Sequence, residues 1–270
     1  MKARRPVGVF VVGLASCLSF DHLSSDFAGS GLVDGGDVGQ NADTGRLPDG
    51  GYRGFCSSGE PHVFCSDFDV GDLPLLWSDI GSDPLGTIAL DTSMSVSAPR
   101  SLHTSLQAST SGFHLARASR FLKTPWRPTR LDFDMYVRRP AWGAGSGNVA
   151  LFALSFAPSS TSEISVTFYL ADGQGALTAS LPTYTPFHAD APALDRWVHV
   201  RLEVAPDATN GVVSLLFDGA SAGSRSGLAF DTAAAARAGA GINVSLGLAR
   251  YNPTTPALDV FYDNVTLDFF

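Results

Sequence analysis

Residues 129–139 read TRLDFDMYVRR, and their alternation decides the fold. Leu131, Phe133, Met135 and Val137 fall on one side of an extended chain, while Asp132, Asp134, Tyr136 and Arg138 fall on the other. Successive side chains of a strand point to opposite faces, so this period of two marks a strand with one buried and one solvated face. The pattern recurs along the chain. Ile164, Val166, Phe168 and Leu170 alternate with Ser165, Thr167 and Tyr169, and Val198, Val200, Leu202 and Val204 alternate with His199, Arg201 and Glu203. Ile242, Val244, Leu246 and Leu248 repeat it among small or polar residues, and further strands are expected at 62–68, 87–93, 100–106, 113–122, 148–157, 175–181, 212–218 and 258–269. Only Asp231–Ala238 reads as a helix, with Asp231 or Thr232 as its cap and Gly239 as its stop. So many short strands, separated by Gly, Pro, Asn and Asp, predict an all-β, two-sheet antiparallel sandwich formed as one domain by residues 55–270.

The sequence before this domain has a different texture. Residues 24–54 are dense in Gly, Asp and Ser and poor in large apolar side chains, so they cannot bury enough surface to offset the entropy of ordering them. Residues 17–54 are read as a flexible linker, its Gly-rich part reaching on the order of 30 Å. Ahead of it, Lys2, Arg4 and Arg5 precede an apolar run from Pro6 to Leu14, the parts of a secretory signal occupying residues 1–16. That run is about half of the ~20 residues a membrane-spanning helix needs. Leu14, Ala15, Ser16 and Cys17 resemble the lipobox of bacterial lipoproteins. The resemblance implies lipidation of Cys17 and attachment, through acyl chains, to a bacterial cell envelope at the outer membrane or cell surface.

Charge and cysteines narrow the setting. Cleavage before Cys17 removes Lys2, Arg4 and Arg5 and no acidic residue, taking the formal charge from −8 to −11. Such an acidic chain is not expected to bind nucleic acid. With Cys17 assigned to lipid, Cys56 and Cys65 remain, and in an exported protein they are expected to form a disulfide. Closing so short a loop is worth about 2–3 kcal/mol in the chain-entropy treatment.

The motifs FCSDFD (64–69), Trp77, SAPRSL (97–102), DRWVHV (195–200), LLFDG (215–219) and YDNVTL (262–267) follow one another in an order that resembles the concanavalin A-like lectin/glucanase jelly roll, and LamG-type domains of bacterial surface lipoproteins in particular. Asp218 and Gly219 read as a hairpin turn, and Trp77 and Trp197 as core residues. That fold hosts lectins, carbohydrate-binding modules, glycosidases and lyases, so function has to come from a site.

Asp132 and Asp134 share a strand face, as a glycosidase acid and base must. The glucanases of the fold imply a Glu, Asp, Glu set on one strand, and Tyr136 departs from it. A lyase needs a His or Tyr base beside cationic or amide partners. His114, Arg117, Arg120, Tyr184 and His188 supply those residue types. Asp263 is in phase with Phe261, Val265, Leu267 and Phe269, so its carboxylate either enters the core of a regular strand or is turned to backbone amides by a bulge with Asn264. The jelly-roll resemblance offers Asp67, Asp69 and Asp263 as ligands of a structural calcium tying the first strand to the last. For sugar binding, Trp126 and Trp142 lie in loops as aromatic plates, with Tyr184, Phe187 and Tyr251 as further candidates. The leading expectation is a non-catalytic, lectin-like domain on an envelope lipoprotein, binding glycan or another surface ligand. The alternatives are a secreted glycoside hydrolase or polysaccharide lyase of the same fold, or a structural envelope protein with no small ligand.

Overall fold

A computed structural model describes residues 54–270 apart from 59–60, 111, 141–146, 158–163, 172–173, 181–183, 231, 233–239 and 251–255. The signal, the lipidation site at Cys17 and nearly all of the linker therefore lie outside the described residues, as does almost all of the helix expected at 231–238. Two four-residue helices, α1 (Phe55–Ser58) and α2 (Leu73–Leu76), flank β1 (Phe64–Ser66). The strands that follow are β2 (Asp79–Ser82), β3 (Gly86–Asp91), β4 (Ser101–Leu106), β5 (His114–Leu122), β6 (Thr129–Val137), β7 (Val149–Ala157), β8 (Ile164–Ala171), β9 (Gln174–Ser180), β10 (Tyr184–Ala189), β11 (Trp197–Ala205), β12 (Gly211–Phe217), β13 (Ala220–Leu228), β14 (Gly241–Arg250) and β15 (Leu258–Phe269).

They pair into two antiparallel sheets. The first runs β13-β12-β11-β6-β15-β4-β3, with β1 added to the far end of β15, and the second runs β10-β9-β8-β7-β14-β5-β2. The alternation in β6 sets how they face each other. Leu131, Phe133, Met135 and Val137 are buried between the sheets, where Phe133 meets Phe152 of β7 edge-on at 5.1 Å and Phe152 stacks on Phe168 of β8 at 5.0 Å. Each such side chain contributes about 1.5–3 kcal/mol of burial. Tyr262 of β15 is wholly buried and donates its hydroxyl to the Leu151 carbonyl at 2.7 Å, a polar tie across the core.

The twelve strands expected from alternation are present, and β2, β10 and β13 come in addition. All three are sheet edges. An edge strand lacks a neighbour on one side and carries few core residues, so its sequence need not alternate; β13 reads ASAGSRSGL and β10 holds Pro186. The two meet where the sheets come together, with Asp190 N donating to Ala222 O at 2.7 Å. Asp218 and Gly219 turn β12 into β13 with φ of 50° and 78°, the left-handed pair a two-residue hairpin needs. Cys56 and Cys65 are disulfide-bonded with Cα atoms 5.7 Å apart, fastening α1 to β1.

Candidate functional site

The outer face of the first sheet carries the charges that alternation assigned to solvent. Asp134 lies opposite His199 and Asp132 opposite Arg201 across the β6–β11 pair. His199 sits between the two carboxylates, with Nε2 3.3 Å from Asp132 Oδ1 and Nδ1 3.1 Å from Asp134 Oδ1. Arg201 Nε donates to Asp132 Oδ1 at 2.7 Å, and Asn264 Nδ2 donates to Asp134 Oδ2 at 2.8 Å. Hydrogen bonds to Asp132 and then Asp134 push the His199 imidazole up to about 9. Burial raises Asp132, but the bonds from His199 and Arg201 outweigh it and hold the carboxyl below its ordinary value. A glycosidase acid must keep its proton near neutrality. Here a charged imidazolium is clamped between two carboxylates, which is an ion-pair network and not an acid–base pair.

One row further along the same face, Trp197 faces Tyr136 in register and Tyr136 faces Phe261. Trp197 meets the Tyr136 ring at 5.8 Å, and Phe261 stacks on His103 at 4.3 Å. Trp197 is thus half-buried on the outer face, not in the core as its place at the strand start suggested. Trp77 is a core residue, buried between Phe64 and Phe68.

The outer face of the second sheet is chemically different. Ser119, Ser155, Ser165, Thr167, Thr178 and Ser245 are all buried, and the hydroxyls bond to one another: Ser119 to Ser245 at 2.9 Å, Ser155 to Ser165 at 3.1 Å, Ser165 to Thr167 at 3.0 Å. Above this floor of short side chains Arg117, Tyr169 and Asn243 remain half-exposed. Tyr169 lies in register between Ala150 and Ala176, so no bulky neighbour on β7 or β9 stands beside it. Arg117 lies opposite Gly247 and is held by Asp79 at 3.4 Å. His188 is exposed on the edge strand β10, facing Ala176 in register. The suggested lyase set is therefore not one cluster. Arg117 on β5 and His188 on β10 are five strands apart, about 24 Å at 4.8 Å per strand. Arg120 falls in register with the core residue Val244, and His114 stands at the rim where β5 begins. Tyr184 of β10 pairs with Ser180 of β9, its side chain lying outside the described residues. Tyr169, which the sequence showed only as one polar member of an alternating strand, emerges from the small size of its cross-strand neighbours.

The third cluster joins the ends of the domain. Register shifts between Asp263 and Thr266, with Asn264 at φ 52°, so the strand is bulged there. Asp263 consequently accepts from Val96 N at 2.7 Å, Ser97 N at 2.9 Å, Ser97 Oγ at 3.1 Å and Asn264 N at 2.9 Å. Asp67 accepts from Cys56 N and Asp69 N, and Asp69 Oδ1 from Arg100 N. Asp69 Oδ2 is buried with no hydrogen-bond partner. Burial pushes both Asp69 and Asp263 up to about 6, and the charges of Asp67 and Asp263 add to the shift at Asp69. Among the described residues no three such side chains already converge as a metal group.

Of the aromatic plates, Trp126 is half-buried and packs edge-on against Phe156 at 5.7 Å, its indole Nε1 buried without a partner. Phe187 of β10 is a partly buried residue packed on the core. Trp142 and Tyr251 lie outside the described residues.

The structure is similar to an endo-β-1,4-glucuronan lyase from the fungus Trichoderma reesei, with a TM-score of 0.58 at 12% identity over 77% of this chain and 96% of that one. It is also similar to the cellulose-induced protein Cip1, with a TM-score of 0.55 at 12% identity over 76% of this chain and 96% of that one. The sandwich is a concanavalin A-like jelly roll. No protein-family model matches the chain, and no curated protein does. The expectation of a non-catalytic, lectin-like module is corrected by these likenesses, since the fold is shared with a polysaccharide lyase over 96% of that protein.

Proposed function

We propose that the protein is an exported enzyme that degrades an acidic polysaccharide by β-elimination, attached to the envelope through Cys17 and holding a structural calcium at Asp67, Asp69 and Asp263. The observation that carries the reading is the fold shared with the glucuronan lyase over 96% of that protein. The outer face of the second sheet supports it. β-Elimination on a uronate needs a group that takes the proton from C5, a donor for the glycosidic oxygen on C4, and a partner for the carboxylate so that the carbanion can form. Tyr169 is the proton-transferring group of this reading, and Arg117 and Asn243 are the carboxylate partners. Arg117 and Tyr169 are three strands apart, about 14 Å between backbones. Arg117 is anchored on Asp79 of the neighbouring edge strand β2, so in this reading the sugar chain lies across β14 and β7 between the two side chains.

Hydrolysis by Asp132 and Asp134 draws no such support, because both are clamped on His199. The orphaned Asp69 Oδ2, together with the raised carboxyls of Asp69 and Asp263, supports the calcium part of the reading. The test is incubation of the purified domain with glucuronan and alginate, following the ultraviolet absorbance of the unsaturated uronate that elimination creates. The expected result is absorbance that grows with time and is lost in Tyr169→Phe and in Arg117→Ala. Reducing ends released without absorbance would mean hydrolysis, and no product from either polymer would refute the reading.

A further inference from the structure

At the rim where β5 begins, three segments bring together side chains that the elimination reading does not use. The His114 ring lies between Asp83 and Ser109: Nδ1 is 2.6 Å from Asp83 Oδ2, and Nε2 is 3.4 Å from Ser109 Oγ. Asp83 belongs to the turn between β2 and β3, Ser109 to the connection between β4 and β5, and His114 is the first residue of β5. We propose that Ser109, His114 and Asp83 are the nucleophile, base and orienting acid of a second activity, the hydrolysis of carboxylic esters.

The geometry assigns each role. A carboxylate can only accept, so Nδ1 carries the proton toward Asp83 and Nε2 presents its lone pair to the Ser109 hydroxyl. Asp83 is itself fixed for this purpose. Its Oδ1 accepts from Leu85 N at 2.9 Å, its own N donates to Leu115 O at 3.1 Å and its carbonyl accepts from Gly86 N at 3.0 Å, leaving Oδ2 for the ring. The serine segment is anchored to the same turn through Gln107 N, which donates to Leu85 O at 2.9 Å. Gly112 has φ 83°, and a Cβ there would stand 3.4 Å from Nε2, so glycine keeps the approach to the base clear. A nucleophile–base distance at the long end of hydrogen bonding is normal without substrate and tightens in the complex.

The chemistry balances with water as the only co-reactant. Ser109 Oγ bonds to the ester carbonyl carbon as its proton passes to Nε2, and Asp83 stabilises the imidazolium. The carbon–alkoxy bond then breaks and the leaving alcohol takes the proton from Nε2. Water attacks the acyl-serine, again giving a proton to Nε2. The Oγ–carbon bond breaks, Oγ regains a proton, and a carboxylic acid leaves. The side chains of His114 and Asp83 are 16% and 25% exposed, so the site opens on solvent at an edge of the sandwich. An open rim suits a short acyl ester carried on a large polymer better than a small molecule that must be enclosed.

The test uses p-nitrophenyl acetate turnover and a fluorophosphonate probe, with the modified residue located by mass spectrometry. The expected result is turnover in the wild type, a loss of at least ~100-fold in Ser109→Ala with an unchanged melting temperature, a comparable loss in Asp83→Asn, and labelling at Ser109 that needs His114. Ser109→Ala retaining turnover, or a probe found elsewhere or nowhere, would overturn the proposal. If His114→Gln fails to fold, Ser109→Ala and the labelled residue still decide. Ester cleavage without polyuronate cleavage keeps this proposal and removes the lyase reading, and the reverse outcome does the opposite.

Discussion

Raising the pH from about 6.5 to about 10 should strip stability from the wild-type domain, and His199→Gln should abolish most of that loss. The imidazole lies between Asp132 and Asp134, which push it up to about 9 from an ordinary 6.5. A group bound more tightly to its proton in the folded state stabilises fully below its unfolded value, and that stabilisation is lost as the pH rises through the folded value. The window therefore runs from about 6.5 to just above 9. At 1.36 kcal/mol per unit the ceiling is about 3 kcal/mol. The ring is 45% exposed, however, so solvent screening brings the effect nearer to about 1 kcal/mol. In a domain of this size that is a shift of about 2–4 °C. The assay is thermal unfolding of wild type and His199→Gln at several pH values across the window, in low and high salt. Wild type should fall by that amount more than the variant, and salt should shrink the difference. Parallel curves for the two proteins would refute the idea that His199 holds its charge through the clamp, and would return Asp132 and Asp134 to consideration as a free acid–base pair.

Three other outcomes follow from particular contacts. Tyr262→Phe leaves the Leu151 carbonyl without its donor in a fully buried place, so it should cost about 1–3 kcal/mol in denaturant unfolding; no change would mean that the tie across the core is not formed in solution. Reduction of Cys56–Cys65, or Cys56→Ser with Cys65→Ser, should lower stability by about 2–3 kcal/mol without altering the circular dichroism of the sheets, and an unchanged midpoint would show the pair unbonded. Calcium should raise the melting temperature, EDTA should lower it, and Asp69→Asn should remove the response, because Asp69 Oδ2 is a carboxylate oxygen of that cluster buried without a hydrogen-bond partner; indifference to both reagents would discard the calcium site.

The core of the fold was legible because burial on one face imposes a period of two on the large apolar side chains: β11 follows it residue by residue, β6 departs only at the buried Asp132, and β8 and β14 keep their large apolar residues in phase while small residues between them are buried as well. The edges were not, since β2, β10 and β13 answer to backbone pairing and to the need for a poor template at the sheet margin, neither of which leaves an alternating record. Asp263 shows the same limit within a central strand. Phase alone put its carboxylate with Val265 and Leu267, while the bulge at Asn264 shifts the register so that Asp263 stays with Phe261 and turns to the amides of 96 and 97. An extra residue in one strand costs little and changes every side chain beyond it, so the two readings of Asp263 could be told apart only by the backbone.

The candidate sites were legible in a still narrower sense. Asp132 and Asp134 could be placed on one face from spacing alone, but what they do depends on His199, which is on another strand, and no local pattern links residues 134 and 199. Tyr169 is marked by what its neighbours lack, Ala150 and Ala176 standing on either side of it, and those neighbours become known only once β7, β8 and β9 are in register. Ser109, His114 and Asp83 come from two connections and a strand start, so their chemistry exists only after β2, β3, β4 and β5 are assembled. In a sandwich the alternating residues build the scaffold and spend their information on the core. Chemistry is left to outward-facing and rim positions, where sequence carries the residue types and the pairing of strands decides which of them meet.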